Sequence, residues 1–463
     1  MPYPLKRHVV LTLSMILFQK RINAAPRGGA VSSCPKQRPC RKLVIFMDNN
    51  HEESLFAVQR RSGDIRTTVY WELSSTKDIA ETSADIQRVD QRDIAEAAAM
   101  LRNGGTVAFP TETVYGLGAD ARNTGAVEAV FAAKGRPSDN PLIVHIADLD
   151  ALDELVTEVH PVAVALMEAY WPGPLTLVLP LRPGVLSPLV SAGLDTVGVR
   201  IPDHPVARAL IRASGCPVAA PSANRSGRPS PTLASHVLED LSGYIGGVLD
   251  GGAAGVGLES TVVQVQPDGS VSILRPGGIT AEQLSAVSGA GTVDNTSAEA
   301  LDFTPKSAAP VSPGTADLNA ADGEFPASAA TDKNPAPRAP GMKYTHYAPR
   351  GWLGVVDGSS PLRVAERAAS LLQAAQLNGE ITGLLLFDEH IALYPAAPAA
   401  CVTSLGSLDS PEEAARSLYA ALRRFDEAGA TYILAEACPV TGLGAAIMNR
   451  LMKAAGGTLI DAG

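Results

Sequence analysis

Cysteine, lysine and long apolar runs are all scarce in this 463-residue chain, and each scarcity removes a class of function. The five cysteines, Cys34, Cys40, Cys216, Cys401 and Cys438, are odd in number and form no C-x-x-C pair. A disulfide framework or a cysteine-based zinc cluster is therefore not expected, and a reducing compartment, the cytoplasm, is. No apolar run approaches the ~20 residues needed to cross a bilayer, so no membrane partner is expected. The run 9–18 behind Lys6, Arg7 and His8 resembles a secretory h-region, but Gln19-Lys20-Arg21 follows at once and Ala24-Ala25 offers only a weak cleavage site. It reads better as an upstream extension or an over-long start than as an export signal. A net charge of −10 argues against a wide basic face gripping nucleic acid.

Two standard phosphate cradles are also missing. There is no G-x-x-x-x-G-K-[ST], and Gly116-Leu117-Gly118 lacks the third glycine and following acid of a dinucleotide fingerprint. No Ser/His/Asp triad, H-E-x-x-H or metal-ligand cluster is apparent, so no metal site built from side chains is expected. Between Lys77 and Lys306 the only lysine is Lys134, although residues 85–285 carry twelve arginines. A stretch that writes its other cations as arginine, yet keeps one lysine beside Arg136, points to a compact ammonium meeting phosphate oxygens.

What is present suggests two or three domains. Asp90 reads as the N-cap of a helix stopped by Gly104, followed by a buried strand at 106–109 and a helix at 124–133. Short apolar, β-branched runs at 142–146, 175–179, 196–201, 217–219 and 261–265 predict strands; 162–170, 206–213 and 233–241 predict helices. Residues 85–285 thus form an α/β or α+β domain, and residues 1–84 an extension expected to be poorly ordered. Residues 286–340 are dominated by Ala, Ser, Pro, Gly, Asp and Thr and predict a flexible linker. The linker, 286–349, ends in Gly341-Met342-Lys343-Tyr344-Thr345-His346-Tyr347-Ala348-Pro349, dense enough in side chains to hold something. Strands at 353–356, 382–387 and 431–435 alternate with helices at 361–376, 411–428 and 443–455. Residues 350–463 therefore predict a small three-layer parallel-sheet domain.

The chemistry is dispersed. Lys134, Arg136 and Asn140 sit on a turn braced by Pro137 and Pro141, where cations could meet phosphate without large loop entropy; a solvated basic turn is the plain alternative. An exposed lysine on such a turn contributes little to stability, so Lys134 is expected to serve catalysis more than folding. His145 lies within an apolar run, where a satisfied core histidine is the usual explanation. Ser222, Asn224, Ser226, Gly227 and Ser230 follow a strand, and small residues let backbone amides approach phosphate beyond strand ends. Ser260 stands at the mouth of another strand. Arg200 inside a strand pattern is costly to bury unless paired with an anion, and Arg275 before Pro276-Gly277-Gly278 repeats that theme. Cations, hydroxyls and amides without a nucleophile suit phosphoryl or nucleotidyl transfer.

The ordered set Pro-Thr-Glu-Thr-Val-Tyr-Gly-Leu, Lys-Gly-Arg-Pro-x-x-Asn-Pro-Leu, Trp-Pro-Gly-Pro-Leu-Thr, Val-Arg-Ile-Pro, Ala-Pro-Ser-Ala-Asn-x-Ser-Gly, Glu-Ser-Thr-Val and Leu-Arg-Pro-Gly resembles the L-threonylcarbamoyladenylate synthase family in its long, two-domain form. The resemblance implies a YrdC-like twisted open mixed sheet with helices, plus a small Rossmann-like α/β C-terminal domain. It implies that L-threonine, bicarbonate and ATP, with Mg²⁺, give threonylcarbamoyl-AMP and pyrophosphate. A separate tRNA threonylcarbamoyl transferase then uses the adenylate beside the anticodon, with weak tRNA contact conceivable here. By matching position, Thr113, His145, Arg200, Ala220 and Ser260 are implied threonine and carbamate contacts. Lys134, Arg136, Asn140, Thr196, Ser222, Ser230 and Arg275 are implied ATP contacts, with Asn224 in support and Tyr344, His346 or Tyr347 closing as a lid. Catalysis would rest on Lys134, Arg136 and Arg200. Two rivals are an RNA-binding module, disfavoured by the acidic balance, and a carbamoyl-transferring hydrogenase-maturation enzyme, whose C-x-x-C repeats are missing.

Overall fold

The computed structural model describes residues 43–47, 54–59, 65–73, 84–289, 293–294, 346–394 and 398–463. The apolar run 9–18, residues 295–345 and Tyr344 among them lie outside these. Strands of the first sheet are β1 (Leu43–Met47), β2 (Ser54–Gln59), β3 (Ile65–Glu72), β4 (Val107–Phe109), β5 (Gly116–Asp120), β6 (Ile143–His145), β7 (Leu175–Pro180), β8 (Thr196–Arg200), β9 (Val218–Ala219), β10 (Gly247–Asp250), β11 (Thr261–Val265), β12 (Val271–Arg275) and β13 (Val293–Asp294). They pair in the order β1-β2-β3-β10-β4-β5-β9-β6-β8-β7-β11-β12-β13, with parallel and antiparallel neighbours mixed.

Helices cover both faces. Ala97, Ala98 and Leu101 of helix Ala84–Arg102 pack with Val206, Leu210 and Ile211 of helix Pro205–Ser214 over Phe109, Val218 and Leu249. On the opposite face Val130 and Ala133 of helix Thr124–Lys134 meet Leu117 and Ala119, joined by Val237 and Leu241 of helix Ala234–Leu241.

Two expectations need correcting. Residues 43–72, expected to be a poorly ordered extension, carry three strands, and β3 pairs in parallel with β10 inside the sheet. The predicted N-cap Asp90 lies inside a helix that begins at Ala84, because the helical pattern simply continues upstream. The glycines of β5 (Gly116-Leu117-Gly118-Ala119-Asp120) and β10 (Gly247-Val248-Leu249-Asp250) hid both strands, since glycine weakens a strand signal.

The second sheet contains β14 (Trp352–Asp357), β15 (Thr382–Leu386), β16 (Cys401–Ser404), β17 (Tyr432–Glu436) and β18 (Leu459–Asp461), all parallel, in the order β16-β15-β17-β14-β18. Strand alternation sends Val356, Leu384, Leu386 and Leu434 toward helix Pro361–Leu377. Val355, Leu385 and Ile433 face helices Pro411–Ala428 and Leu443–Ala454. That second cluster also takes in Val114, Leu258 and Tyr347, so the smaller domain seats its helix pair directly on the larger one.

Candidate active site

One face of the larger sheet carries the site. In β6, alternation places Ile143 and His145 on the same side, and parallel register sets Arg200 beside His145. Ala220 joins them through its amide, which donates to the Ile143 carbonyl (2.9 Å). The sequence suggested a site beyond the strand ends, and the cavity takes in those ends: His145, Arg200 and Arg275 close β6, β8 and β12, while Ala220, Ser222 and Asn224 follow β9. Thr111, Thr113, Lys134, Arg136, His145, Arg200, Ala220, Ser222, Asn224, Ser226, Glu259, Ser260, Arg275, His346 and Tyr347 all line it.

Arg200 is 3% exposed and resolves its burial cost by pairing with Glu112 (2.6 Å) and donating to Thr113 Oγ1 (3.0 Å). Burial, with Arg200 nearby, pushes His145 down to about 3, so it is a neutral imidazole. Its Nδ1 is buried without a protein partner.

Lys134 departs from expectation. It is the last residue of helix Thr124–Lys134, not part of the turn, and is buried at 3% exposure. The turn begins at Gly135, whose φ of +64° ends the helix in the left-handed conformation glycine favours. Lys134 Nζ donates to the Ser222 carbonyl, the Asn224 carbonyl (2.7 Å) and Asn224 Oδ1 (3.3 Å). Burial first, then the nearby Arg136, pulls its pKa well below a lysine's ordinary value. The ammonium thus pins the loop 222–230, whose shape Asn224 completes by donating to the Arg225 (2.9 Å) and Arg228 (2.8 Å) carbonyls. The same loop receives the linker's exit, since the Ala348 amide donates to the Gly227 carbonyl (2.9 Å).

Across the cavity, Arg275 donates to the Ser260 carbonyl (2.9 Å) and Ser260 Oγ (3.2 Å). This close approach requires Gly277, where a Cβ would come within 2.3 Å of the Glu259 carbonyl oxygen. The Glu259 carboxylate accepts from Ser230 Oγ (2.6 Å), Tyr419 Oη (2.8 Å to Oε2) and Arg450 Nε (2.8 Å). Burial alone would raise its pKa, but Arg450 and then Arg275 override that and hold it down at about 2. Tyr347, at a φ of +68°, packs its ring 5.3 Å from that of Tyr419, with the Arg450 guanidinium 5.7 Å from its centroid.

Of the residues implied by the resemblance as threonine, ATP or lid contacts, twelve line the cavity: Thr113, Lys134, Arg136, His145, Arg200, Ala220, Ser222, Asn224, Ser260, Arg275, His346 and Tyr347; Ser226 and Gly227 of the loop join them. Asn140 stands just behind it, next to lining residue Pro141; its side-chain amide is fully buried and both polar atoms lack a partner. Ser230 is turned to Glu259. Thr196 starts β8 and lies about 13 Å of strand from Arg200, away from the lining. Glu112, Glu259, Tyr419 and Arg450 were missed. The first two stood inside quoted motifs, and Arg450 interrupts the apolar face of its helix, which is the signature of a paired buried cation.

Comparison with known proteins finds relatives that span both domains. A family model described as "Telomere recombination" (Sua5, YciO and YrdC) matches residues 99–277, and one described as "Threonylcarbamoyl-AMP synthase, C-terminal domain" matches 279–456. The threonylcarbamoyl-AMP synthase of Bacillus subtilis is 50% identical over 367 residues, covering 79% of this chain and 94% of the relative. That of Pyrococcus abyssi is 41% identical over 377 residues, covering 81% and 97%. The crystal structure of P. abyssi Sua5 complexed with L-threonine superposes with a TM-score of 0.69 at 39% identity, covering 85% of this chain and 99% of that one. With both family models in chain order and half of the 367 aligned positions identical to a relative covered to 94%, this chain belongs to the Sua5-type threonylcarbamoyl-AMP synthase family.

Proposed function

We infer that the protein condenses L-threonine, bicarbonate and ATP into threonylcarbamoyl-AMP, releasing pyrophosphate. The observation that carries this is one hollow in which Arg200, His145 and Ser260 adjoin Lys134, Arg136, Ser222 and Arg275. An amino-acid half and a triphosphate half thus share a wall. On the first side, Arg200 would receive the threonine carboxylate while its pairing with Glu112 fixes the guanidinium plane. His145, neutral and with Nδ1 unpartnered, supplies a hydrogen bond without a competing charge. Threonine's amine adds to bicarbonate with loss of water, giving a carbamate. A carbamate oxygen then attacks the α-phosphorus, the bond to the β-phosphate oxygen breaks, and pyrophosphate leaves.

No side chain need act as nucleophile; the protein positions the partners and offsets developing charge. Lys134, Arg136 and Arg275 border the triphosphate half, and the buried amide of Asn140 is suited to hydrogen-bond the nucleotide. Ser230 acts through Glu259 rather than on phosphate. His346 and Tyr347 close the hollow from the linker, which keeps water from a labile carbamate. Among the described residues no group of three His, Cys, Asp or Glu side chains could hold a metal. Among the described residues the one carboxylate lining the cavity, Glu259, is occupied by Arg450, Tyr419 and Ser230. Mg²⁺ would therefore enter with ATP, ligated by phosphate and water, where it neutralises charge on the leaving group.

The adenylate is a mixed anhydride suited to an acyl transfer, and the family assigns it to a tRNA threonylcarbamoyl transferase acting next to the anticodon. The proposed compartment is the cytoplasm, where such tRNA is used. No described helix is long and apolar enough to cross a membrane. The test is pyrophosphate release from purified protein: it should require threonine, bicarbonate and ATP together. Release that ignores threonine would overturn the assignment.

A further inference from the structure

A carboxylate in a triphosphate pocket is an apparent contradiction. Glu259 lines the cavity, is 7% exposed, and carries its negative charge where phosphate oxygens would gather. It also lies within electrostatic reach of both Lys134 and Arg275, so it could neutralise either. Among the described residues, however, its ion pair runs to Arg450, which belongs to the other domain. Arg450 is 0% exposed and sits on helix Leu443–Ala454; its Nη1 also donates to the Pro276 carbonyl (2.8 Å), beside Arg275. Tyr419, equally buried on helix Pro411–Ala428, donates to the same carboxylate (2.8 and 3.0 Å). Close seating of the two domains makes this possible. A Cβ on Gly257 would fall 2.4 Å from the Arg416 Cα, so the loop carrying Glu259 lies against that helix backbone.

We propose that Arg450 and Tyr419 are positioning residues for nucleotide binding: they hold the Glu259 carboxylate on the domain boundary, so that its charge does not neutralise Lys134 and Arg275 beside a triphosphate. The smaller domain then contributes to ATP affinity without touching ATP. The proposal deepens the proposed function above and rests on it for the identity of the ligand. Losing Arg450 frees a buried carboxylate that must seek another cation, and the nearest are those the nucleotide uses. Threonine, bound at Arg200 under the separate Glu112 pair, should notice little.

Calorimetric titration of the full chain with ATP and, separately, with threonine tests this independently of turnover. Arg450→Met should weaken ATP binding about tenfold, a coupling of ordinary size for neighbouring charges, and leave threonine within about twofold. Arg450→Lys should recover most of the loss. In a Glu259→Gln background, with no charge to restrain, adding Arg450→Met should change ATP affinity by less than about threefold. Tyr419→Phe, which keeps the ring packed, should weaken ATP binding in the same direction and guards against a poorly folding Arg450 variant. Equal weakening of both ligands, or the same loss in the Glu259→Gln background, would show plain structural support and overturn the proposal. If these affinities behave as expected but no pyrophosphate is released, the positioning role stands and the assigned reaction fails.

Discussion

Replacing Lys134 by methionine separates two roles that the sequence alone had merged. Methionine keeps the stem and removes the ammonium, so three hydrogen bonds vanish: to the Ser222 carbonyl, the Asn224 carbonyl and Asn224 Oδ1. Asn224 Oδ1 retains the Ser222 hydroxyl (2.6 Å) as a donor, whereas the two carbonyls lose Lys134 as a donor. Each such loss costs ~1–3 kcal/mol. Relief of the ammonium's burial, the leading reason its pKa is depressed, returns part of that. A net destabilisation of about 2 kcal/mol is therefore expected. Chemical denaturation followed by Trp71 and Trp171 fluorescence, both in the larger domain, reads it directly. The same variant should lose roughly 100- to 1000-fold in kcat/KM for ATP, as removal of a charge-stabilising donor does elsewhere, while still binding threonine. A variant as stable as the native protein would refute the pinned-loop geometry and restore the exposed, purely catalytic lysine.

Three further outcomes follow from single observations. Arg423→Ala should destabilise the chain by roughly 1–3 kcal/mol in chemical denaturation, because it strips one buried partner from Asp240 (2.9 Å), which keeps Arg228, and a donor from the Pro229 carbonyl (2.6 Å). Asn140→Leu should leave stability unchanged or raised by about 1 kcal/mol, since no protein bond is broken, yet raise the KM for ATP; a large loss of stability would mean the amide has a structural partner. Burial holds His145 at about 3 and His204, His236 and His346 at about 4, so from pH 6.5 down to about 4 the unfolded chain binds more protons than the native one. Stability must then fall as pH falls through that window, and denaturation midpoints equal at pH 7.5 and 5 would contradict it.

Much of this was legible in the sequence because each motif is a local strand-and-turn unit. Short apolar, β-branched runs gave β7, β8, β11 and β15 nearly to the residue, and helical patterns at 162–170, 206–213, 361–376 and 411–428 gave those four helices to within one residue at each end. What stayed hidden is tertiary. Whether Lys134 is exposed depends on loop 222–230 folding back over the helix end, which no local pattern encodes. Glu112 and Glu259 could be read as motif letters, but their partners Arg200 and Arg450 lie 88 and 191 residues away. Of the strands at 43–72, β1 (Leu-Val-Ile-Phe-Met) is an unbroken apolar run that was passed over, whereas hydroxyl and charged residues break the run of β3, and pairing with β10, not propensity, fixes it.

The most direct measurement is mass spectrometry of the products formed from L-threonine, ATP and carbon-13 bicarbonate. An adenylate carrying both threonine and one heavy carbon, formed in step with pyrophosphate, is the expected result. ATP cleaved to AMP or ADP with no labelled threonine adduct would contradict the shared hollow as a site of carbamoyl-adenylate synthesis.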